Sequence, residues 1–505
     1  MKLPKVSFYS ILIASALSFS GCTMLGPDFT PPKPEVPETW SEGSAFQKVS
    51  EEENIEWWKQ FSDPTLDRLI QTAYEQNLSL RTAGLRILES RAQLGLVKGN
   101  IYPQSQNLNG DIMTIGTTGP ASDRYYNAAS IGFDVGWEID FWGKFSRSIE
   151  SADASLFASV ADYDDVLVSL TAEVARSYTS IRTLEERIRL ARKNSDLQRD
   201  GLQLVTHQFE AGTVTELDVQ QALTLLNTTL ATIPNLQSVL QQTRNGLAIL
   251  LGVFPEDLAE FLNGAGTIPT AAPELAVGIP ADLLRRRPDI RKAEMQTAAQ
   301  SAQVGVAVTE LYPSFTLFGS LGWSANDIGE NSLGDIFDSN SFSYSFGPAF
   351  KWNILNYGRI KNQVRIQDAR LEQLITSYQN VVLNAAREVE DSMTALVYAQ
   401  KEAEYLRLGV TSSERSVELS LLQYEEGFAD YQRVLDSTRA LTQKQDQYAQ
   451  LQGKMATDFI SMYKALGGGW QIRLGKDFVP QDVKEKMEER TDWGNLLQNP
   501  TPEEQ

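Results

Sequence analysis

The side chains that most often do chemistry are nearly missing from this chain, since its 505 residues hold one histidine, His207, and one cysteine, Cys22. One of each cannot build a disulfide framework or a Cys/His metal cluster within a protomer. His207 stands four residues before the expected end of a long helix, where the helix dipole favours a cation, and it has no second histidine with which to share a proton or a metal. Eight methionines, two of them within the first 24 residues, are too few for a soft-metal relay. Gly467-Gly468-Gly469 lacks the Lys-Ser/Thr of a phosphate loop and follows no strand, so it reads as a helix stop. No His or Cys catalytic centre can be built, carboxylate chemistry stays open by count, and no enzyme, metal or cofactor is expected. The formal charge of −20 argues against nucleic acid as a partner, because nothing here would replace phosphate counterions.

Cys22 has a chemistry of its own, set by what precedes it. Lys2 and Lys5 form a positive start, Ile11 to Phe19 an apolar run too short to span a bilayer stably, and Phe19-Ser20-Gly21-Cys22 a small-residue cleavage site. The stretch resembles a bacterial lipobox, with Phe19 where leucine is usual. It implies a signal peptide over 1–21 and a diacylated Cys22 as mature N-terminus. Thr23 rather than aspartate at the next position points, by the same resemblance, to the outer membrane. Acyl chains contribute roughly 0.8 kcal/mol per buried CH₂, so several chains anchor firmly. From Gly26 to Trp40 the sequence is rich in proline, which has no amide donor and restricts the residue before it; residues 22–62 read as an extended strap.

Positions 173–252 lie over 388–467 at a constant offset of 215 without a gap: Glu173-Val174 on Glu388-Val389, Gln208-Phe209-Glu210 on Gln423-Tyr424-Glu425, Gly212 on Gly427. Upstream, Trp137 falls on Trp352 at the same offset, and Tyr102-Pro103 on Tyr312-Pro313 at 210. A period near 200 residues is far longer than the roughly 20–50 of solenoid repeats, so the chain is two similar lobes. The repeats are expected over 63–252 and 280–469, with a linker over 253–279 and a polar tail over 470–505. That tail carries the mixed charges Lys484, Glu485, Lys486, Glu488 and Glu489, and is expected to pack loosely or not at all.

Each lobe holds a very long proline-free stretch with small or apolar residues at steps of three and four. Leu167, Leu170, Val174, Ser177, Ile181, Leu184, Ile188 and Ala191 form the first seam, and Val382, Ala385, Val389, Ser392, Leu396, Ala399, Ala403 and Leu406 the second. A helix from about Lys144 to Ala211 would be on the order of 100 Å long at 1.5 Å per residue, which fits a coiled coil. Gly212 and Gly427 break these helices, and a second helix returns in each lobe.

Strand periodicity appears around 105–114, 131–139, 315–323 and 344–354, the last run broken by Pro348, with turns near 116–124 and 326–341. Each lobe thus adds one hairpin, over about 105–139 and 314–354. One apolar face and aromatic ends are the pattern of outer-membrane strands. Four strands cannot close a barrel, and an open edge in lipid leaves backbone groups unpaired. A trimer of twelve strands is the simplest closed solution, its symmetry placing the long helices in a second barrel. A soluble four-stranded sheet packed on helices is the alternative. Trp137 and Trp352 mark a membrane interface.

On Gly21-Cys22, Gly26-Pro27-Asp28-Phe29, Asp282-Leu283-Leu284-Arg285-Arg286-Arg287-Pro288-Asp289-Ile290-Arg291, Leu311-Tyr312-Pro313-Ser314 and Tyr424-Glu425-Glu426-Gly427, the chain closely resembles the outer membrane efflux protein family. These are the TolC-related outer-membrane factors, here in their lipoprotein branch of the OprM and NodT type. The resemblance implies a mainly α, mixed fold: a homotrimer whose twelve-stranded outer-membrane β-barrel continues as a periplasmic α-helical coiled-coil barrel. It implies a passive gated exit duct for small molecules, with a periplasmic adaptor (membrane fusion protein) and an inner-membrane RND-type transporter as partners. The residues from Arg286 to Arg291 themselves read only as a helix start after a proline turn.

The resemblance also assigns a gate. Asp218 and Asp436 lie within about two turns of the tip glycines. In a threefold assembly each becomes a ring of three carboxylates that attracts cations and repels anions. Asp436 falls where family members carry a constriction aspartate, while Arg433 occupies a neighbouring aspartate position. Asp218 and Tyr424 match a pair in which a phenol hydrogen-bonds a carboxylate between helix pairs and holds the gate shut. Ala429 stands in place of the arginine companion. The tips at Gly212 and Gly427 are the implied adaptor docking points. Two other functions stay open at this point: an exit duct for type I protein or peptide secretion with an ABC exporter, and a non-conducting periplasmic lipoprotein scaffold.

Overall fold

A computed structural model describes residues 24–32, 55–118, 124–262, 266–270, 286–328 and 332–498. The leader, Cys22, Asp282 to Arg285 and the last seven positions lie outside the described residues. The chain divides into two compact units, one of residues 1–33, 87–159 and 293–378, the other of 34–86, 160–292 and 379–505.

The helices repeat as the sequence does. α1 (Pro64–Gln76) and α2 (Leu78–Gly99) precede the first hairpin, which leads into α3 (Lys144–Glu210) and α4 (Glu216–Leu251). α5 (Pro288–Thr309) precedes the second hairpin, followed by α6 (Arg359–Glu425), α7 (Tyr431–Ala465) and the short α8 (Gln481–Glu488). α3 and α6 are both 67 residues long, and an offset of 215 maps one onto the other at both ends.

In the first unit the strands β1 (Ser105–Thr117), β2 (Arg124–Ile139), β3 (Ser314–Asn326) and β4 (Phe342–Lys351) form an antiparallel sheet in the order β1-β2-β3-β4. The two hairpins are therefore joined by β2 and β3. Pro348 lies on β4, an edge strand within the protomer, which is where sheets accommodate proline. β4 stops at Lys351, so Trp352 and Ile354 stand beyond the strand expected to include them.

Partners opposite one another share a face, and the register sorts the middle of the sheet by chemistry. Leu108, Phe133, Leu321 and Tyr344 form one cross-strand row, and Ile131, Trp323 and Phe342 another. The opposite face carries Asn107, Asp134, Ser320 and Ser345 in one row, and Asn109, Gly132, Gly322 and Ser343 in the next. Phe318 is an exception on the polar face, set between Gly136 and Gly347. A soluble sheet would bury its apolar face, yet here Leu108 is 73 % exposed and Phe346 82 %.

Aromatic rings mark both ends of that face. Trp323 lies 5.2 Å from Phe342 and 6.1 Å from Phe337 between ring centroids; at the other end Phe141 lies 4.7 Å from Trp142 and 5.3 Å from Phe315. Along β3 the eight steps from Phe315 to Trp323 span roughly 26 Å at ~3.3 Å each, the height of an outer-membrane apolar band. Near the second belt the repeat shows in single bonds. The Trp137 indole donates to the Ile101 carbonyl at 2.8 Å and Trp352 to Leu311 at 3.0 Å, each acceptor standing directly before a Tyr-Pro pair.

The second unit holds the helix seams. Leu167, Val174 and Ile181 are fully buried, as are Ala385 and Val389 in the second copy. Arg287, just before α5, donates to the Ala465 carbonyl at the end of α7 and pairs with Asp289 and Glu388. Two expectations need correction here. Residues 55–62 are not extended: Trp57–Phe61 is a 3-10 turn whose Trp57, Trp58 and Phe61 are buried, because three large apolar side chains so close together cannot stay in water. The chain after Trp470 is not loose. Phe478 and Val479 are buried, Lys484 pairs with Asp477 at 3.0 Å, and the Arg473 guanidinium is locked in a two-pronged bond to Asp164, which is 0 % exposed.

Candidate functional site

The assigned gate residues all fall in the second unit, where two helix pairs turn back. α3 ends at Glu210 and α6 at Glu425, and Gly212 (φ 77°) and Gly427 (φ 75°) then take the left-handed conformation that side chains resist. Thr213 and Phe428 close the two turns with amide bonds to the Gln208 and Gln423 carbonyls. Phe428 is 84 % exposed at the second tip. Beneath the tips Val205, Ala222, Tyr424, Tyr431, Val434 and Leu435 form an apolar core.

Asp218 is the third residue of α4, and its carboxylate turns back on its own helix start. It accepts from the Thr215 amide at 3.0 Å and the Thr215 hydroxyl at 2.8 Å. A carboxylate at this position satisfies a free amide and favours the positive helix end. The repeat puts Arg433 at the equivalent third position of α7, where the same dipole opposes it; Asp430 caps that helix instead, accepting from the Arg433 amide at 3.3 Å.

Tyr424 does not make the tie to Asp218 within the chain. Its hydroxyl is buried without a hydrogen-bond partner among the described residues, and its ring packs 5.1 Å from that of Tyr431. Thr215 occupies one Asp218 oxygen, Oδ2, with both of its bonds. Burial, reinforced by the Asp218 charge, pushes the Tyr424 phenol up to about 12. Burial does the same for Tyr431, pushed up to about 12 with Tyr424 and then Asp218 adding to the effect. Both phenols are therefore protonated donors at neutral pH.

Asp436 lies on the exposed side of α7. It accepts from the Gln432 side chain at 3.0 Å and faces Arg439 at 3.5 Å, with 63 % of its side chain exposed. Arg433 and Arg439 therefore flank it at three residues on either side. His207 is also exposed, 3.6 Å from Glu210.

Sequence reasoning passed over three of these groups. Arg439 was signalled by its i+3 spacing from Asp436, and Tyr431 by nothing local, since its burial depends on the neighbouring helices. Gln198 continues the 3/4 seam beyond Ala191, and both polar atoms of its buried amide lack hydrogen bonds among the described residues.

Comparison with known proteins places these features in a wider group. The sequence profile of outer membrane efflux proteins matches residues 69–253 and 279–468. The chain is 31% identical to Nodulation protein T of Rhizobium leguminosarum bv. viciae, over 92% of this chain and 94% of that protein. It is 30% identical to the pyoverdine export outer membrane protein OpmQ of Pseudomonas aeruginosa, over 90% of this chain and 96% of the relative. The solved outer-membrane channel OprN superposes with a TM-score of 0.83 at 30% identity, covering 89% of this chain and all of the other.

Proposed function

The chain belongs to the outer membrane efflux protein family, and from that premise we propose that three copies form an exit duct for small molecules handed over by a periplasmic adaptor and an inner-membrane RND-type transporter. It is a passive outer-membrane channel component, not an enzyme. The observation that carries the reading is the sheet: its apolar face is exposed, its polar face is lined largely by Asn, Asp, Ser and Gly, and among the described residues each edge strand has a neighbour on one side only. In lipid those edges must pair, and other copies of the chain supply strands with the same alternation of apolar and polar faces. A lipid on Cys22 adds a second hold on the outer membrane. The tips at Gly212 and Gly427, with Phe428 exposed, suit docking of the adaptor.

In this account Asp436 sets a ring at the constriction, and Arg439 moderates its charge. Replacing Asp436 with alanine is expected to shift selectivity toward anions, and Arg439→Ala toward cations. Reversal potentials under a salt gradient read both. Equal reversal potentials in wild type and both variants would remove these residues from the conducting path.

Transport itself is tested by deleting the gene and following intracellular accumulation of a fluorescent small-molecule efflux substrate. Accumulation should rise and return to the original level on complementation. Unchanged accumulation together with loss of a secreted polypeptide would favour the secretion duct instead.

A further inference from the structure

Arg147, in the first turn of α3, is a charged side chain only 3 % exposed, and most of what satisfies it comes from the chain's own N-terminal segment. Its Nε donates to the Leu25 carbonyl at 3.1 Å, and its Nη2 donates to the Gly26 carbonyl at 3.5 Å and to the Asp28 carboxylate at 2.7 Å. On α3 itself it meets Glu150 at 2.7 Å. Without the segment, a buried guanidinium would keep one carboxylate and several unmet donors, an arrangement that folding disfavours.

Two glycines complete the seat. Gly26 has φ 92°, and a Cβ on it would lie 2.3 Å from the Cα of Gly305 in α5. A Cβ on Gly305 would lie 2.9 Å from the Leu25 oxygen and 3.0 Å from the Arg147 side chain. Backbone thus rests on backbone at a spot where only glycine fits. The Leu25 amide meanwhile donates to the Trp142 carbonyl at 3.2 Å, and Trp142 belongs to the aromatic belt with Phe141 and Tyr312.

We propose that Arg147 is the positioning residue for the lipid-bearing N-terminus: it fastens Leu25 to Asp28 onto this aromatic belt, so that the acyl chains of Cys22 enter the membrane where the strands leave it. Cys22 stands three positions before Leu25, a reach of roughly 10 Å. The lipid is thereby confined beside the belt and does not roam on a free strap. This rests on the lipoprotein part of the proposed function.

The test is hydrogen exchange of membrane-extracted, full-length trimers, followed on the peptide covering residues 23–32, in wild type, Arg147→Ala and Gly305→Ala. Gly305→Ala favours helix in α5 yet fills the seat, so it releases the segment even if Arg147→Ala misfolds. Exchange of the Leu25 amide, held by the Trp142 carbonyl, is expected to be slow in wild type and about tenfold or more faster in both variants once the segment is released, with the strand peptides unchanged. Fast exchange in wild type, or protection retained in both variants, overturns the positioning role and leaves the channel reading untouched. The mass of the mature N-terminus is read on the same samples. An acylated Cys22 supports the proposal, and an unmodified one overturns its lipid half whatever the exchange shows.

Discussion

Leu321→Arg is expected to stop the chain from assembling in the outer membrane, whereas Ser320→Arg, one residue away on the same strand, is expected to leave assembly intact. Leu321 sits in the row with Leu108, Phe133 and Tyr344 on the apolar face, in the middle of β3. An arginine on the lipid face near the bilayer midplane costs about 2–4 kcal/mol per chain, and a trimer carries that cost three times. Ser320 shares the opposite face with Asp134 and Ser345, where an added cation meets water and a carboxylate. The measurement is the yield of heat-resistant trimer in purified outer membranes. Equal yields for both variants would mean that the sheet does not present this face to lipid.

The second large effect is expected at Arg473→Ala, in the segment that composition marks as a loose tail. Arg473 and Asp164 are 1 % and 0 % exposed, and Arg291 stands 3.7 Å from the same carboxylate. Both guanidinium groups also lie near the Trp470 ring, Arg291 at 5.3 Å and Arg473 at 5.4 Å from its centroid. Removing Arg473 leaves the buried Asp164 carboxylate to the longer contact with Arg291, so a loss approaching the roughly 3–5 kcal/mol of other broken buried pairs is expected. Replacing both partners, as Asp164→Leu with Arg473→Met, should recover most of it. Denaturant midpoints of detergent-solubilised protein read both variants. A single variant as stable as wild type would show that the pair does not secure the C-terminal segment.

Much of the architecture is legible because it is periodic. The helix seams, the tip glycines and the four strands follow from local spacing, and the repeat supplies each pattern twice. The pairing of β2 with β3 is not local, since it joins segments some 190 residues apart and depends on both lobes meeting in one sheet. The ordered C-terminal segment was hidden for a related reason: the charges of Lys484 to Glu489 dominate its composition, while the burial of Arg473 depends on Asp164, 309 positions earlier. At the gate, the Asp218–Tyr424 tie came from resemblance. Thr215 three residues before Asp218 is a helix-start signal that local reading could have weighed against it. The N-terminal seat escaped because an arginine such as Arg147 gives no sign in sequence that its partners lie more than a hundred positions away.

Single-channel recording of detergent-extracted trimers in a planar bilayer tests the central claim most directly. A small conductance is expected, reflecting tips packed shut by the Tyr424–Tyr431 core, and it should grow when Tyr431→Ala loosens that core while the trimer stays intact. Correctly assembled trimers that pass no current, in wild type and with the tip core loosened, would contradict the exit duct and leave a non-conducting scaffold.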